Sequence, residues 1–215
     1  MAKVVGIDID CTLTELFDPT IEKMAAFYDK PIPSMDMIRD YNLSTAFNIT
    51  EEESLVFWRA HEADLVVTSK LSKERHQSIV NNYIEAGSEI YIITNRPRKH
   101  LKATYQWLVE NEVSFDYLIH TDGKSKIPHI KRLGIEVMID DNPTVFREAF
   151  EQGITTKMVC VDYPYNIDAP CHARMTLEGD VYDVKAGYDS FIRASQIRKG
   201  LCCEHPCWRY GVQRV

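Results

Sequence analysis

KVVGIDIDCTLT, residues 3–14, sets the fold of this chain. Its first half, Lys3 to Asp8, is a short β-branched run suited to a strand buried on both faces. Its second half places two carboxylates, Asp8 and Asp10, just where that strand ends. Four further runs have the same character: EIYIIT (89–94), YLIH (117–120), IEVMID (135–140) and KMVCVD (157–162).

Helical patterns separate most of these runs. His76, Ile79, Val80, Tyr83 and Ile84 share one helix face, with Gly87 as its stop. Leu101, Tyr105, Leu108 and Val109 repeat the pattern after the second strand. Ile127, Ile130 and Leu133 mark a helix ended by Gly134. Asn142 caps another, with Pro143 in its first turn and Gly153 at its close. Strands alternating with helices predict an α/β fold: a Rossmann-like parallel sheet with helices on both faces.

One interval breaks the rhythm. Between the first strand and the helix ending near Gly87 lies a long stretch without a clear strand. It carries helical patterns near Ile21–Tyr28 and Glu51–Ala63 around a Pro-containing middle. Connections this long in a compact α/β unit are usually functional. The expected organisation is a core of residues 1–15 and 71–200, a small helical cap over 16–70 above the sheet's C-terminal edge, and a tail over 201–215.

Three strands end in reactive groups: Asp8 and Asp10, Thr94-Asn95-Arg96, and Asp140-Asp141-Asn142. In an open parallel sheet, ligands bind beyond the carboxyl ends of the strands, so these groups should converge. Carboxylates gathered at one point repel one another unless a cation neutralises them. Hard oxygen ligands with room for water and phosphate suit Mg²⁺.

Bulk properties narrow the class. A net charge of −7 argues against a duplex-DNA binder, which carries a basic footprint. No apolar run reaches the roughly 18 residues of a membrane span, and the first ten residues lack the pattern of a signal peptide. Six cysteines in 215 residues do not suggest a disulfide framework, so a cytosolic protein with reduced thiols is expected. The Cys202-Cys203-Glu204-His205-Pro206-Cys207 stretch does not match zinc-ligand spacing.

DIDCTLT resembles the first motif of the haloacid dehalogenase superfamily, D-x-D-G-T. YIITN resembles its second, a strand ending in Thr or Ser, and VMIDDNP its fourth, an acidic pair. GKSK offers the lysine that precedes the acidic pair. Order, spacing and strand context agree from about Lys3 to Tyr165. Within the superfamily, the helical insert after the first motif, IDDNP and VDYPYN are most like the 5′(3′)-deoxyribonucleotidases and related bacterial and phage nucleotidases.

The resemblance implies a phosphomonoesterase that works through an aspartyl-phosphate. Asp8 would be the nucleophile and Asp10 the general acid and base. Asp8, the Asp10 backbone carbonyl and Asp140 would hold Mg²⁺, with Asp141 supporting. Thr94, the Asn95 N–H and a lysine would bind the phosphoryl oxygens. Lys124 is preferred, since it precedes the helix with Ser125 as a cap; Lys126 is the alternative. Thr12 and Arg96 join Asn95 as expected substrate contacts, and Tyr41 and Trp58 as stacking partners for a nucleobase. The implied substrate is a small phosphate ester, favouring a nucleoside monophosphate, with a sugar phosphate or a polynucleotide end as alternatives.

Each reading has a plainer rival. Asp140 and Asp141 could merely cap a helix, the Arg96–Lys102 charges could be a solvated face, and Tyr41 and Trp58 could be cap core. A non-catalytic receiver-like module would place the acidic pair after the first strand, not the fourth. Cys11 replaces the motif's glycine, and a positive φ there would be strained. Beside two carboxylates, which raise a thiol's pKa, it does not suit the role of nucleophile.

Overall fold

The computed structural model describes residues 3–184. Seven strands form one sheet in the order β3-β2-β1-β4-β5-β6-β7. They are β1 (Val4–Ile7), β2 (Glu89–Thr94), β3 (Tyr117–His120), β4 (Val137–Asp140), β5 (Lys157–Val161), β6 (Ala173–Met175) and β7 (Val181–Asp183). All neighbours pair in parallel except β6 and β7, which are antiparallel.

The order explains why β1 reads as continuously apolar. It lies between β2 and β4, with Ile7 level with Ile92 on one side and Ile139 on the other. Gly6 is the exception in its composition. A Cβ there would come within 2.7 Å of the Met138 sulfur, with Ile135 and Ile93 also close. The larger side chains of neighbouring elements fill the room that Gly6 leaves.

Helices cover both faces. On one, α6 (Ile127–Leu133) and α7 (Pro143–Glu151) pack Ile127, Ile130, Val145 and Phe146 against Ile93, Met138 and Met158. On the other, α4 (Lys73–Ile79) and α5 (Leu101–Glu110) contribute Ile79, Trp107 and Leu108 to a core that includes Ile7, Ile92, Ile139 and Val159. Each fully buried side chain of this size is worth about 1.5–3 kcal/mol. Local chemistry fixes the ends. Asn142 accepts from Thr144 N at 2.9 Å to start α7, and Gly134 turns left-handed (φ 63°) to stop α6.

Between Thr14 and Leu71 the regular elements are helical: α1 (Phe17–Tyr28), α2 (Ser44–Phe47), α3 (Glu51–Thr68) and one short 3₁₀ turn. Thr50 and Glu53 form a reciprocal capping box at the start of α3. Met24 and Phe57 are fully buried within this segment's packing. Its two ends meet as a narrow antiparallel neck. Thr14 bridges Leu71, Glu15 N donates to Lys70 O at 2.8 Å, and Ser72 N donates to Leu13 O at 2.8 Å.

The structure departs from the sequence reading in a few places. β6 and β7 were not anticipated, because neither three-residue strand has an apolar run and β7 is exposed along its length. α1 starts at Phe17, earlier than the pattern indicated, and α4 continues into a π-helical turn over Val80–Ile84. Residues 185–200 of the predicted core and the predicted tail 201–215 lie outside the described residues. Among the described residues no helix is long and apolar enough to cross a membrane.

Candidate active site

The loop after β1 is wound tightly about one carbonyl. The N–H groups of Thr12, Leu13 and Thr14 all point at Ile9 O, at 3.2, 2.8 and 3.0 Å. Winding this tight puts Cys11 at φ 58°, the left-handed conformation that disfavours a side chain. Two features hold it there: Cys11 N donates to Thr14 Oγ1 at 3.1 Å, and the buried Arg75 guanidinium donates to Thr12 O and Thr14 O, each at 2.8 Å.

Asp8 emerges buried from this frame and meets the end of β4. Carboxylate oxygens of Asp8, Asp140 and Asp141 lie within 4.8 Å of one another. Lys126, 1% exposed at the start of α6, donates to Asp8 Oδ1 at 2.5 Å and to Asp140 Oδ2 at 2.7 Å. Burial drives Asp8 up to about 7, opposed by Lys126 and aided by Asp140 and Asp10. Burial, then Asp8 and Asp140, push Asp141 well above the usual carboxylate range. Lys126 is pushed down by burial, but Asp140 and Asp8 outweigh this and hold it above an ordinary lysine.

This donor set fits a hard divalent cation. Were all three carboxylates ionised, one ammonium would leave two negative charges in a buried space; the raised values of Asp8 and Asp141 show that without a cation the protonated forms are favoured there. The outer partners keep the acids oriented. Tyr165 Oη donates to Asp141 Oδ2 at 2.6 Å, Thr12 Oγ1 to Asp141 Oδ1 at 3.4 Å, and Asn142 N to Asp140 Oδ1 at 2.9 Å. Burial, followed by Asp141, raises the Tyr165 hydroxyl well above its ordinary value, so it stays a donor.

One expected position requires revision. Lys124, preferred from the sequence, is exposed; the ammonium between Asp8 and Asp140 is that of Lys126, because the turn before α6 directs the later lysine inward. The Asp10 carboxylate is paired with Arg96, consistent with the expectation that its backbone carbonyl, not its side chain, would serve a metal. Arg96, expected as a substrate contact, is 4% exposed and paired with Asp10.

Thr94 is buried at the end of β2, beside the Asp8 loop. Asn95 is steadied from β3, its Oδ1 accepting from Thr121 Oγ1 at 2.6 Å. Tyr41 is 44% exposed, its ring 5.4 Å from that of Tyr165, and so borders the acid cluster. Trp58 is engaged in packing within the helical segment, its ring 5.6 Å from Phe57.

Sequence reasoning gave no role to Tyr165, Asn166 or Arg75. The first two had a usable signal, since YPYN follows β5 at the same sheet edge. Asn166 Nδ2 bonds both Asp141 O and Val161 O at 2.8 Å. Arg75 had none: in the mixed-charge run KERHQ it reads as a surface residue.

The strand order and helix placement define an α/β protein with a haloacid dehalogenase-like fold. A HAD family hydrolase from Deinococcus radiodurans, determined with bound phosphate and sodium, has the same fold at a TM-score of 0.54 and 12% identity, covering 93% of this chain and 97% of that one. In sequence the chain is similar to bacterial proteins named nucleotidases. "Putative nucleotidase YqfW" of Bacillus subtilis is 28% identical over 166 residues, 75% of this chain and 81% of the relative. A "Putative nucleotidase" of Bacillus cereus is 24% identical over 186 residues, 82% and 96% of the two chains. No protein-family profile matches the chain.

Proposed function

We propose that this protein is a Mg²⁺-dependent phosphomonoesterase that forms an aspartyl-phosphate on Asp8, acting on nucleoside monophosphates in the cytosol. The observation that carries the reading is the Asp8 carboxylate, buried against Lys126 at 2.5 Å and closed in by Asp140 and Asp141. Asp8, Asp140 and the Asp10 backbone carbonyl would hold Mg²⁺, with Asp141 supporting; the ion supplies charge neutralisation and Lewis acidity to the phosphoryl group.

Asp8 attacks phosphorus in line: an Oδ–P bond forms as the P–O bond to the leaving group breaks. Lys126, Thr94 and the Asn95 N–H stabilise charge on the equatorial oxygens. Asp10 gives its proton to the leaving alkoxide and then takes one from the attacking water. That second attack breaks the Oδ–P bond, releases phosphate and returns Asp8. The helical segment over 16–70 serves as the cap, and Tyr41 is the residue placed to meet the base. The similarity in sequence to proteins named nucleotidases supports that choice of substrate.

A turnover screen over nucleoside monophosphates, sugar phosphates and aryl phosphates with Mg²⁺ tests this reading. Highest kcat/KM on a nucleoside monophosphate is the expected result. A preference for sugar phosphates would keep the mechanism and remove the substrate; no hydrolysis of any phosphate monoester would remove both.

A further inference from the structure

Asp10 and Arg96 are joined in a two-pronged ion pair that spans two strand ends. Arg96 Nε donates to Asp10 Oδ2 at 2.9 Å and Nη2 to Asp10 Oδ1 at 2.7 Å. The Arg96 side chain is only 2% exposed, against 25% for that of Asp10. A buried guanidinium that engages both oxygens of a partly open carboxylate fixes the plane of that carboxylate as well as its distance.

Arg96 is in turn held from several sides. Its guanidinium lies 5.9 Å above the Trp107 ring and Nη1 donates to Thr104 Oγ1 at 3.4 Å. Its backbone is anchored at both ends: Arg96 N donates to Thr94 Oγ1 at 3.2 Å, and His120 Nδ1 donates to Arg96 O at 3.0 Å. One residue therefore ties Thr94, which cradles the phosphoryl group, to Asp10, which handles the proton.

We infer that Arg96 is a positioning residue that sets the Asp10 carboxylate for proton transfer, rather than a contact for substrate phosphate. The inference rests on Asp10 being the general acid. A general acid that is misplaced by an ångström loses its advantage on leaving groups that need a proton and loses little on those that do not. Disturbing Arg96 should therefore reproduce the loss of Asp10 in kind, while leaving substrate affinity almost unchanged.

The test is a leaving-group series: aryl and alkyl phosphates of graded leaving-group pKa, hydrolysed with Mg²⁺ by wild type, Arg96→Gln, Arg96→Lys, Asp10→Asn and the double variant, each shown to be folded by its melting curve. Arg96→Gln should lose about tenfold or more on alkyl phosphates through kcat and no more than about threefold on the best aryl leaving groups. Arg96→Lys, which keeps the charge without the fork, should fall between it and wild type. The double variant should be no slower than Asp10→Asn alone. A uniform rise in KM in Arg96→Gln would overturn the inference in favour of substrate binding. An unchanged leaving-group slope in either single Arg96 variant would overturn it too, and the Lys variant decides if the Gln variant does not fold. Should Asp10→Asn itself leave the slope unchanged, the acid role of Asp10 is what fails.

Discussion

Lys126 and Asp8 lie 118 positions apart in sequence and 2.5 Å apart in space, both buried. The same ammonium reaches Asp140 at 2.7 Å. Lys126→Met should lower kcat/KM by about 10²–10³-fold, because a donor to the transferring phosphoryl group is removed. Lys124→Ala, at an exposed position, should stay within about threefold of wild type. Kinetics on one aryl phosphate separates the two; equal losses would return Lys124 to consideration.

Chelation should abolish turnover, and Mg²⁺ should restore it, since the carboxylates of Asp8, Asp140 and Asp141 lie within 4.8 Å of one another and need a cation to ionise together. Ca²⁺ should inhibit, as its larger and looser coordination shell spoils in-line geometry. Activity titrations with EDTA, Mg²⁺ and Ca²⁺ provide the readout, and full activity in excess chelator would refute the metal site.

The raised pKa of Asp8 has a consequence for stability that is opposite in sign to that of a salt-bridged surface aspartate. Its value rises from 3.8 to about 7, so folding favours the protonated form. The contribution is full below the unfolded value and is lost as pH rises through the folded one. Metal-free wild type should therefore lose Tm relative to Asp8→Asn between about pH 4 and about pH 8. Mg²⁺ should cancel the loss at the upper end by stabilising the ionised form. A Tm difference that is flat with pH in the presence of chelator would contradict this account.

Tyr41 and Trp58 were equivalent candidates in the sequence, but the structure separates them. Tyr41→Ala should lower kcat/KM for a preferred nucleotide by about tenfold, with little effect on an aryl phosphate. Trp58→Ala should instead lower Tm and change both substrates alike, because its ring packs on Phe57. A base-selective loss in Trp58→Ala would reverse the assignment.

What could be read from the sequence followed the physics of each feature. β2 and β3 were legible residue by residue: β2 is an apolar run buried from Ile90 onward, and β3, an edge strand with Tyr117 exposed, keeps a short β-prone YLIH run. Asp8, Asp140 and Thr94 could be located since each ends such a run. The choice between Lys124 and Lys126 depended on a turn that no periodicity encodes. The Asp10–Arg96 pair depended on which way a carboxylate rotates between adjacent strands. Tyr165 and Arg75 act through contacts across 24 and 61 or more positions, and their own neighbours in sequence say nothing of those partners.

The neck at Thr14 and Leu71 also bears on redesign. The helical segment starts after β1 and ends before α4 at a single antiparallel bridge, Thr14 to Leu71, with Glu15 N bound to Lys70 O. A module grafted between Glu15 and Lys70 would need ends a strand spacing apart. Arg75 of α4 braces the loop after β1, donating to Thr12 O and Thr14 O. Exchanging the segment would have to rebuild its packing as well as its neck, since Phe17 rests on Tyr163 and Tyr165 and Trp107 of α5 donates to Ser69 O.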